Sequence, residues 1–426
     1  MNLSIEQIIK ITNGQLIQGQ PKTIIKNIVT DSRLVKRGDC FLALSGRLFQ
    51  AVPGSSHDGH DFLKEVIKKG ASGVIVSVKR NSQKDRLIQS KFKFVIQVQD
   101  TLDAYQALAQ SWRERFDLPV IVITGSNGKT TTKNMVVAVV SKKYRTLFSA
   151  GSFNNQVGVP ATLLQLNEKH QAVVLEAGTN SFGEIKILNQ IIKPTIAIIT
   201  NIGPAHLKQF KTVDNVAKEK VQILNGAQWA ILNKDDKFFD YLKSKTKAKI
   251  LTFGGEDFYD QNRAAAQRVG EILEISQALI KQGLESYEHP KMRMEEISQT
   301  NFTIINDAYN ANPVSMQYAL QIFSRRPCLG YRIAVLGDML ELGDQSKKYH
   351  HLIGQNIPRG IDVLVTVGEQ ARHIAEAVKK NHQVKTVAIF KNNKLARSYL
   401  HKIIKKGDLI LLKASRGMKL EEIIKS

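Results

Sequence analysis

The residues best spaced for chemistry lie in Gly125-Ser126-Asn127-Gly128-Lys129-Thr130-Thr131. Two glycines bracket a tight turn, a lysine follows the second, and hydroxyl side chains come directly after it. Glycines let a backbone approach an anion closely, and N–H groups at a helix N-terminus point toward it. In such a cradle Lys129 reaches the β/γ-phosphates of a nucleotide and Thr130 offers its hydroxyl to Mg²⁺.

What must position these groups is legible around them. Val120 to Ile123 is a wholly apolar, β-branched run, the pattern of a strand buried on both faces. After Lys129 an apolar-periodic segment reads as a helix. A Walker A loop places four residues between its first glycine and the Gly-Lys pair, and only Ser126 and Asn127 stand here. The strand-to-helix setting nevertheless favours nucleotide binding over a chance glycine-rich turn.

Strands alternate with helices through the rest of the chain, which predicts parallel α/β sheets. Residues 1 to about 98 form a first unit, with strands at Ile24 to Thr30, Cys40 to Leu44 and Gly73 to Val76 and a helix over His60 to Lys69. A helix over Asp100 to Phe116 leads into a second, doubly wound unit. Its strands are Val120 to Ile123, Ala172 to Leu175, Thr195 to Ile199, Trp229 to Leu232 and Lys249 to Phe253. From about Met294 a third unit repeats the style at Thr303 to Ile305, Ile333 to Leu336, Val363 to Val367 and Leu409 to Leu412.

In such sheets ligands sit beyond the carboxyl ends of strands, so the residues just past each strand carry the information. Glu176 ends one strand, where a carboxylate can hold a metal beside the phosphates. Taken singly, a helix-capping or salt-bridged surface Glu is the simpler account. His206, in NIGPAH, can reach metal or phosphate, although a lone histidine is more often structural. Asn154 and Asn155 occupy a further loop. In the third unit Asp307 suits ribose hydroxyls, Asn310 an adenine or phosphate oxygen, and Lys413-Ala414-Ser415-Arg416 ends the last strand. So many polar strand ends exceed what packing requires, and they point to a site in the cleft between units.

Composition narrows the class. The chain has 426 residues, 42% hydrophobic and 23% charged, an ordinary globular composition. Its net charge is +23, yet the lysines are dispersed and no basic module interleaved with aromatics occurs. Attraction of small polyanions is expected rather than nucleic-acid binding. Cys40 and Cys328 lie far apart and outside any metal-binding spacing, which suits a reducing compartment. No apolar stretch nears the roughly 20 residues that span a bilayer, and the amphipathic Met1 to Gln20 is not a secretory signal. A soluble cytoplasmic protein, without stable membrane insertion, is expected.

Eight strings in order resemble the Mur ligase family: TDSR, TGSNGKTTTK, NNQVGVPATLL, EAGTNSFGEI, NIGPAHLKQF, NDAYNANPVSM, AVLGDMLELG and KASRGMKLEE. The short GSNGK spacing is this family's own form of the loop. YNANP and GDMLELG favour the member that joins D-alanyl-D-alanine to UDP-N-acetylmuramoyl-tripeptide. The resemblance implies three domains. Residues 1–98 would form a small α/β domain for the UDP-sugar, 99–293 a central ATP-binding P-loop domain with a mostly parallel sheet, and 294–426 a Rossmann-like α/β domain. It implies ATP, two Mg²⁺ ions, an acyl-phosphate intermediate and a monomer.

Carried over residue by residue, Gly125, Ser126, Asn127, Gly128, Lys129, Thr130 and Thr131 hold the phosphates. Thr130, Glu176, His206 and Lys220 look like the metal site, Lys220 as a lysine carbamylated by CO₂. It lies 14 residues after His206, the family's spacing, with neighbouring Lys218 as the other choice. Arg293 matches an arginine that reaches the γ-phosphate, and Asn262, Asp307 and Asn310 resemble nucleotide contacts. Thr30, Ser32, Arg33, Asn154 and Asn155, with Lys413, Ser415 and Arg416, fall on the substrate side. Two departures stand out. A family segment ending in HNxxNA is missing after Phe253, which places Phe258 and Tyr259 where a His and an Asn are expected. Phe49 to Ser56 also looks inserted. Another amino-acid ligase of this type, or a nucleotide-binding protein without ligase activity, are the alternatives.

Overall fold

The computed structural model describes residues 1–45, 58–80 and 82–424, so the Phe49–Ser56 segment lies outside the described residues. The first unit carries β1 (Leu3–Ser4), β2 (Gln15–Gln18), β3 (Ile24–Ile25), β4 (Ile28–Val29), β5 (Cys40–Leu42), β6 (Gly73–Ser77) and β7 (Phe94–Val98). Five of them form a sheet in the order β2-β7-β6-β5-β4, while β1 and β3 pair separately and antiparallel. The expected single strand over Ile24 to Thr30 is therefore two. Ile24–Ile25 pairs with β1, whereas Ile28–Val29 pairs parallel with β5, and the chain changes sheets at Lys26-Asn27. Asn27 pins that step, its side-chain amide donating to Asp39 Oδ1 at 3.1 Å. The expected helix over His60 to Lys69 opens as a 3₁₀ turn, Gly59–Phe62, before α-helix Leu63–Lys68. Asp58 caps the turn, accepting from His60 N at 2.9 Å.

The second unit is built on β8 (Val120–Thr124), β9 (Thr146–Phe148), β10 (Ala172–Glu176), β11 (Ile196–Ile199), β12 (Trp229–Asn233) and β13 (Lys249–Phe253). They form one wholly parallel sheet in the order β13-β12-β11-β8-β10-β9. Burial explains why β8 is apolar throughout. Val120 and Val122 pack into one core, and Ile121 and Ile123 into a second core on the other face. Each such side chain contributes roughly 1.5–3 kcal/mol on burial. The helix Lys129–Val140 lies on the second face, where Met135, Val136 and Val139 meet Ala265, Ala266 and Val269 of the helix Phe258–Ile272. Strand order reverses at β8, which neighbours both β10 and β11, and such a switch point opens a crevice at the strands' carboxyl ends.

The third unit holds β14 (Glu295–Ser298), β15 (Thr303–Asn306), β16 (Arg332–Gly337), β17 (Val363–Val367), β18 (Thr386–Phe390) and β19 (Leu409–Lys413), in the order β14-β15-β19-β16-β17-β18. Only β14 runs antiparallel. Between the second and third units Met292 and Met294 take left-handed φ angles of 60° and 54°, rare for side chains of this size. Among the described residues no helix is long and apolar enough to cross a membrane.

Candidate active site

The glycine turn between β8 and the helix Lys129–Val140 is braced from behind by the loop after β11. Ser126 Oγ donates to Gly203 O at 3.0 Å, and Asn201 Oδ1 accepts from Asn127 N at 3.0 Å. Thr200 Oγ1 donates to Asn127 O at 2.5 Å. Gly128, the residue before the helix, has φ +78°, and a Cβ there would lie 2.7 Å from Asn262 Oδ1. That oxygen accepts from Thr132 Oγ1 at 2.9 Å, so Asn262 is fastened to the first helical turn.

Lys129 Nζ donates to Gly125 O at 2.9 Å, folding over the turn it serves. Burial lowers its pKa, opposed by the nearby charge of Glu176. Beside it Thr130 Oγ1 donates to Glu176 Oε2 at 2.8 Å and Asn154 Nδ2 to Glu176 Oε1 at 2.7 Å. A buried lysine that sequence reasoning missed, Lys133, holds Ser149 O at 2.8 Å and Gly151 O at 2.9 Å. The only hint was its place one helical turn after Lys129.

The third unit closes over this floor. Ser126 to Thr131, Asn154, Asn155, Glu176, His206, Asn262, Arg293, Asp307, Asn310 and Lys413 all line one cavity of about 640 Å³. The Arg293 guanidinium stacks on the Tyr309 ring, 4.3 Å from its centroid, and the Tyr309 hydroxyl meets Ser152 Oγ. Asn312 Nδ2 donates to Asn127 Oδ1 at 2.7 Å, and Glu341 pairs with His206 Nδ1 at 2.9 Å. Tyr309, Asn312 and Glu341 were missed as individuals, although YNANP and GDMLELG contain them. Lys413 Nζ bridges Asp307 Oδ2 at 2.6 Å and Asn310 O at 2.9 Å, locking that loop.

Other expected residues lie elsewhere. Gly125 sits behind the turn, against Thr200. Lys220 is 1% exposed, and among the described residues its ammonium has no hydrogen bond or ion pair. Burial, reinforced by the charge of Lys129, drives its pKa well below the usual lysine range. Lys218, the other choice, is exposed. The structure does not bring Ser415 and Arg416 to the cavity: Ser415 Oγ accepts from Leu340 N at 3.0 Å, and Arg416 pairs with Glu421 at 2.5 Å. Thr30, Ser32 and Arg33 belong to the first unit and do not line the cavity. Thr30 hydrogen-bonds Tyr105, Ser32 O accepts from Lys69 Nζ at 2.8 Å, and Arg33 pairs with Asp31 at 2.6 Å.

At the far end of the cavity the helix Phe258–Ile272 begins almost directly after β13. Phe258 packs edge-on against Tyr318, centroids 4.8 Å apart, and Tyr259 stacks on His289 at 5.7 Å. Aromatic rings thus occupy the positions where a polar pair was expected, and both residues line the cavity wall.

Thr130 and Glu176 present a hydroxyl and a carboxylate side by side, a hard oxygen set suited to Mg²⁺ that shares its remaining positions with phosphate and water. No cluster of three or more His, Cys, Asp or Glu side chains that could hold a metal without phosphate occurs among the described residues.

Comparison with known proteins gives a consistent result. Residues 123–307 match the Mur ligase middle domain, and residues 292–416 match the domain described as "Mur ligase, glutamate ligase domain". The UDP-N-acetylmuramoyl-tripeptide–D-alanyl-D-alanine ligase of Bacillus subtilis is 32% identical, with 99% of this chain and 97% of that protein covered. The Escherichia coli enzyme of the same name is 30% identical over 100% of this chain and 98% of its own. A crystal structure of MurF from Acinetobacter baumannii superposes with a TM-score of 0.88 at 30% identity, covering 100% and 98% of the two chains. MurF from Thermotoga maritima, solved in complex with ADP, gives 0.78 at 25% identity over 93% and 96%.

Proposed function

The chain belongs to the Mur ligase family, and from that premise we propose that it joins D-alanyl-D-alanine to the terminal carboxylate of UDP-N-acetylmuramoyl-tripeptide, with ATP converted to ADP and phosphate, in peptidoglycan precursor synthesis. The observation that carries the reading is the single cavity in which the Lys129 turn and the Thr130–Glu176 pair meet Arg293 from the junction between the units and Asp307 from the third unit.

In the first step a carboxylate oxygen of the tripeptide attacks the γ-phosphorus, the bond to the ADP oxygen breaks, and an acyl phosphate forms. Both reactants are anionic, so charge stabilisation and positioning dominate the barrier. Lys129 and the turn's N–H groups hold the phosphates, and Arg293, at the junction between the units and seated on the third unit's Tyr309, supports the γ-phosphate. Thr130 and Glu176 would hold one Mg²⁺, with His206 and a modified Lys220 beside a second. Bound there, Mg²⁺ neutralises charge on the phosphate oxygens. In the second step the amine of D-alanyl-D-alanine attacks the acyl carbon, and the tetrahedral intermediate expels phosphate as the amine loses its proton.

Lys220 supports the metal site if its neutral amine adds CO₂: the nitrogen lone pair forms the C–N bond, a proton leaves to water, and an anionic carbamate results. Its lowered pKa supplies the neutral amine that this needs. The nucleobase goes to the aromatic end of the cavity, where Phe258 and Tyr259 offer stacking faces. Thr30, Ser32 and Arg33 take the UDP-sugar, and Asn154 and Asn155 face the tripeptide. Two free, separated cysteines accord with a reducing, cytoplasmic setting.

A phosphate-release assay tests the assignment. Release that requires both UDP-tripeptide and D-alanyl-D-alanine is expected. Turnover with a different amino acid alone, or ATP binding without turnover, would overturn it.

A further inference from the structure

Among the contacts by which the third unit reaches the catalytic floor of the second, one brings to His206 a residue that the reaction above does not use, Glu341. Glu341 lies on the loop after β16, and two contacts in which it is the acceptor, one through its side chain and one through its backbone, join it to the segment after β11. Its Oε2 meets His206 Nδ1 at 2.9 Å, and its carbonyl oxygen accepts from Lys208 N at 3.0 Å. The approach depends on Gly343. That residue has φ +54°, a strained conformation for any side chain, and a Cβ there would stand 3.0 Å from the backbone Cα of Lys208, tighter than ordinary contact. His206 sits at the start of the short helix Leu207–Phe210 with a left-handed φ of 52°. Among the described residues no other hydrogen bond or ion pair holds its ring.

We infer that Glu341 is a positioning residue: a carboxylate carried by the third unit fixes the His206 imidazole at the cavity wall, so that His206 acts only while the third unit is docked. An ionised carboxylate only accepts, so Nδ1 carries the hydrogen and Nε2 is the atom left to act on a ligand. Outer partners of this kind orient an imidazole, and their loss typically costs about ten- to a hundredfold. The inference rests on the ligase reading. It also makes a demand that the reading does not, since nothing in the ligase chemistry requires His206 to be held from the other unit.

A double-mutant cycle on the full-length protein tests it. Glu341→Ala is expected to lower kcat by about ten- to a hundredfold with KM for ATP within about twofold, and Glu341→Gln, whose amide oxygen still accepts, to recover part of the loss. Combining Glu341→Ala with His206→Ala is expected to be no slower than His206→Ala alone, because the two act as one unit. Gly343→Ala, which pushes the loop away with Glu341 intact, is expected to lower kcat while adding little to Glu341→Ala. Melting temperatures of all variants separate these effects from loss of fold. An unchanged kcat in Glu341→Ala or in His206→Ala, or losses that multiply in the double variant, would overturn the inference. If the wild type fails to ligate at all, the ligase reading falls instead.

Discussion

Lys220 shows what a single side chain can and cannot disclose. In VAKEKVQ two lysines alternate, and composition alone makes both surface residues. The helix Val213–Lys220 turns Lys220 onto the face of Val216, one turn earlier, while Lys218 faces solvent. The four-residue spacing from a buried valine was the available signal, but the desolvation that lowers the pKa is a tertiary property. A lysine whose charge is disfavoured is a nucleophile near neutral pH. Ligation in buffers stripped of CO₂ is therefore expected to slow, and bicarbonate to restore it. Lys220→Ala is expected to lose about a hundredfold or more in kcat and to ignore bicarbonate. Equal bicarbonate dependence in that variant would remove the carbamate from the mechanism. The place of Glu176, by contrast, was readable, because it ends a buried strand next to the one that enters the turn, although its residue type taken singly pointed only to a cap or a surface ion pair.

The phosphate turn works as an element because Gly125 has no side chain. Its φ is +149°, and a Cβ would fall 1.9 Å from Thr200 Oγ1 on the adjoining loop. Gly125→Ala is expected to destabilise the second unit by about 3 kcal/mol or more and to abolish ATP binding, seen as a lower urea midpoint that nucleotide no longer raises. In the first unit the 3₁₀ turn Gly59–Phe62 makes a second element-scale claim. His60 Nε2 accepts from Ser77 N at 3.0 Å while Nδ1 pairs with Asp58 at 2.5 Å, so the ring bridges that turn to β6. Burial lowers its pKa below 6.5, although Asp58 opposes the shift. The unfolded chain then takes up the proton first as pH falls. The stability from the neutral ring is full above pH 6.5 and is lost as pH drops through that value toward the folded pKa. Thermal melts should show this decline below pH 6.5, and His60→Gln, less stable at neutral pH, should show a shallower one. A variant with an unchanged slope would assign the decline to other buried histidines. The inner strands of the second and third sheets were legible within a residue or so because each is apolar on both faces, whereas β7 of the first sheet, equally buried, was not expected. β9, β14 and β18 were not, being short or half-exposed strands at sheet edges whose pairing depends on distant partners.

At the scale of the whole molecule the sequence placed polar residues at the strand ends of two units without saying how closely those ends meet. In the structure they touch. Asn312 binds Asn127 in the phosphate turn, Tyr309 meets Ser152, and Glu341 meets His206. These contacts are polar, with one aromatic pair, Phe258 on Tyr318, beside them, and polar contacts hold two domains together only weakly. The chain between them is strained at Met292 and Met294, on either side of Arg293. The Nδ2 of Asn127 is buried without a partner, an unmet donor at the place a phosphate would occupy. Each feature favours a docked arrangement that nucleotide stabilises and that opens readily in its absence. A ligand shifts such an equilibrium only by its differential affinity for the two states. Here that difference would come from Asp307 and Asn310 of the third unit and from Arg293 at the junction, all of which line the cavity in the docked arrangement. The radius of gyration from small-angle scattering is therefore expected to fall when an ATP analogue, Mg²⁺ and UDP-tripeptide are added. Asn312→Ala, which severs the contact to the turn, is expected to need several-fold more nucleotide for the same compaction while reaching the same end state. Identical dimensions with and without saturating ligands would mean that the units are docked throughout. The strained Met292–Met294 segment would then be a fixed corner of the fold rather than its hinge.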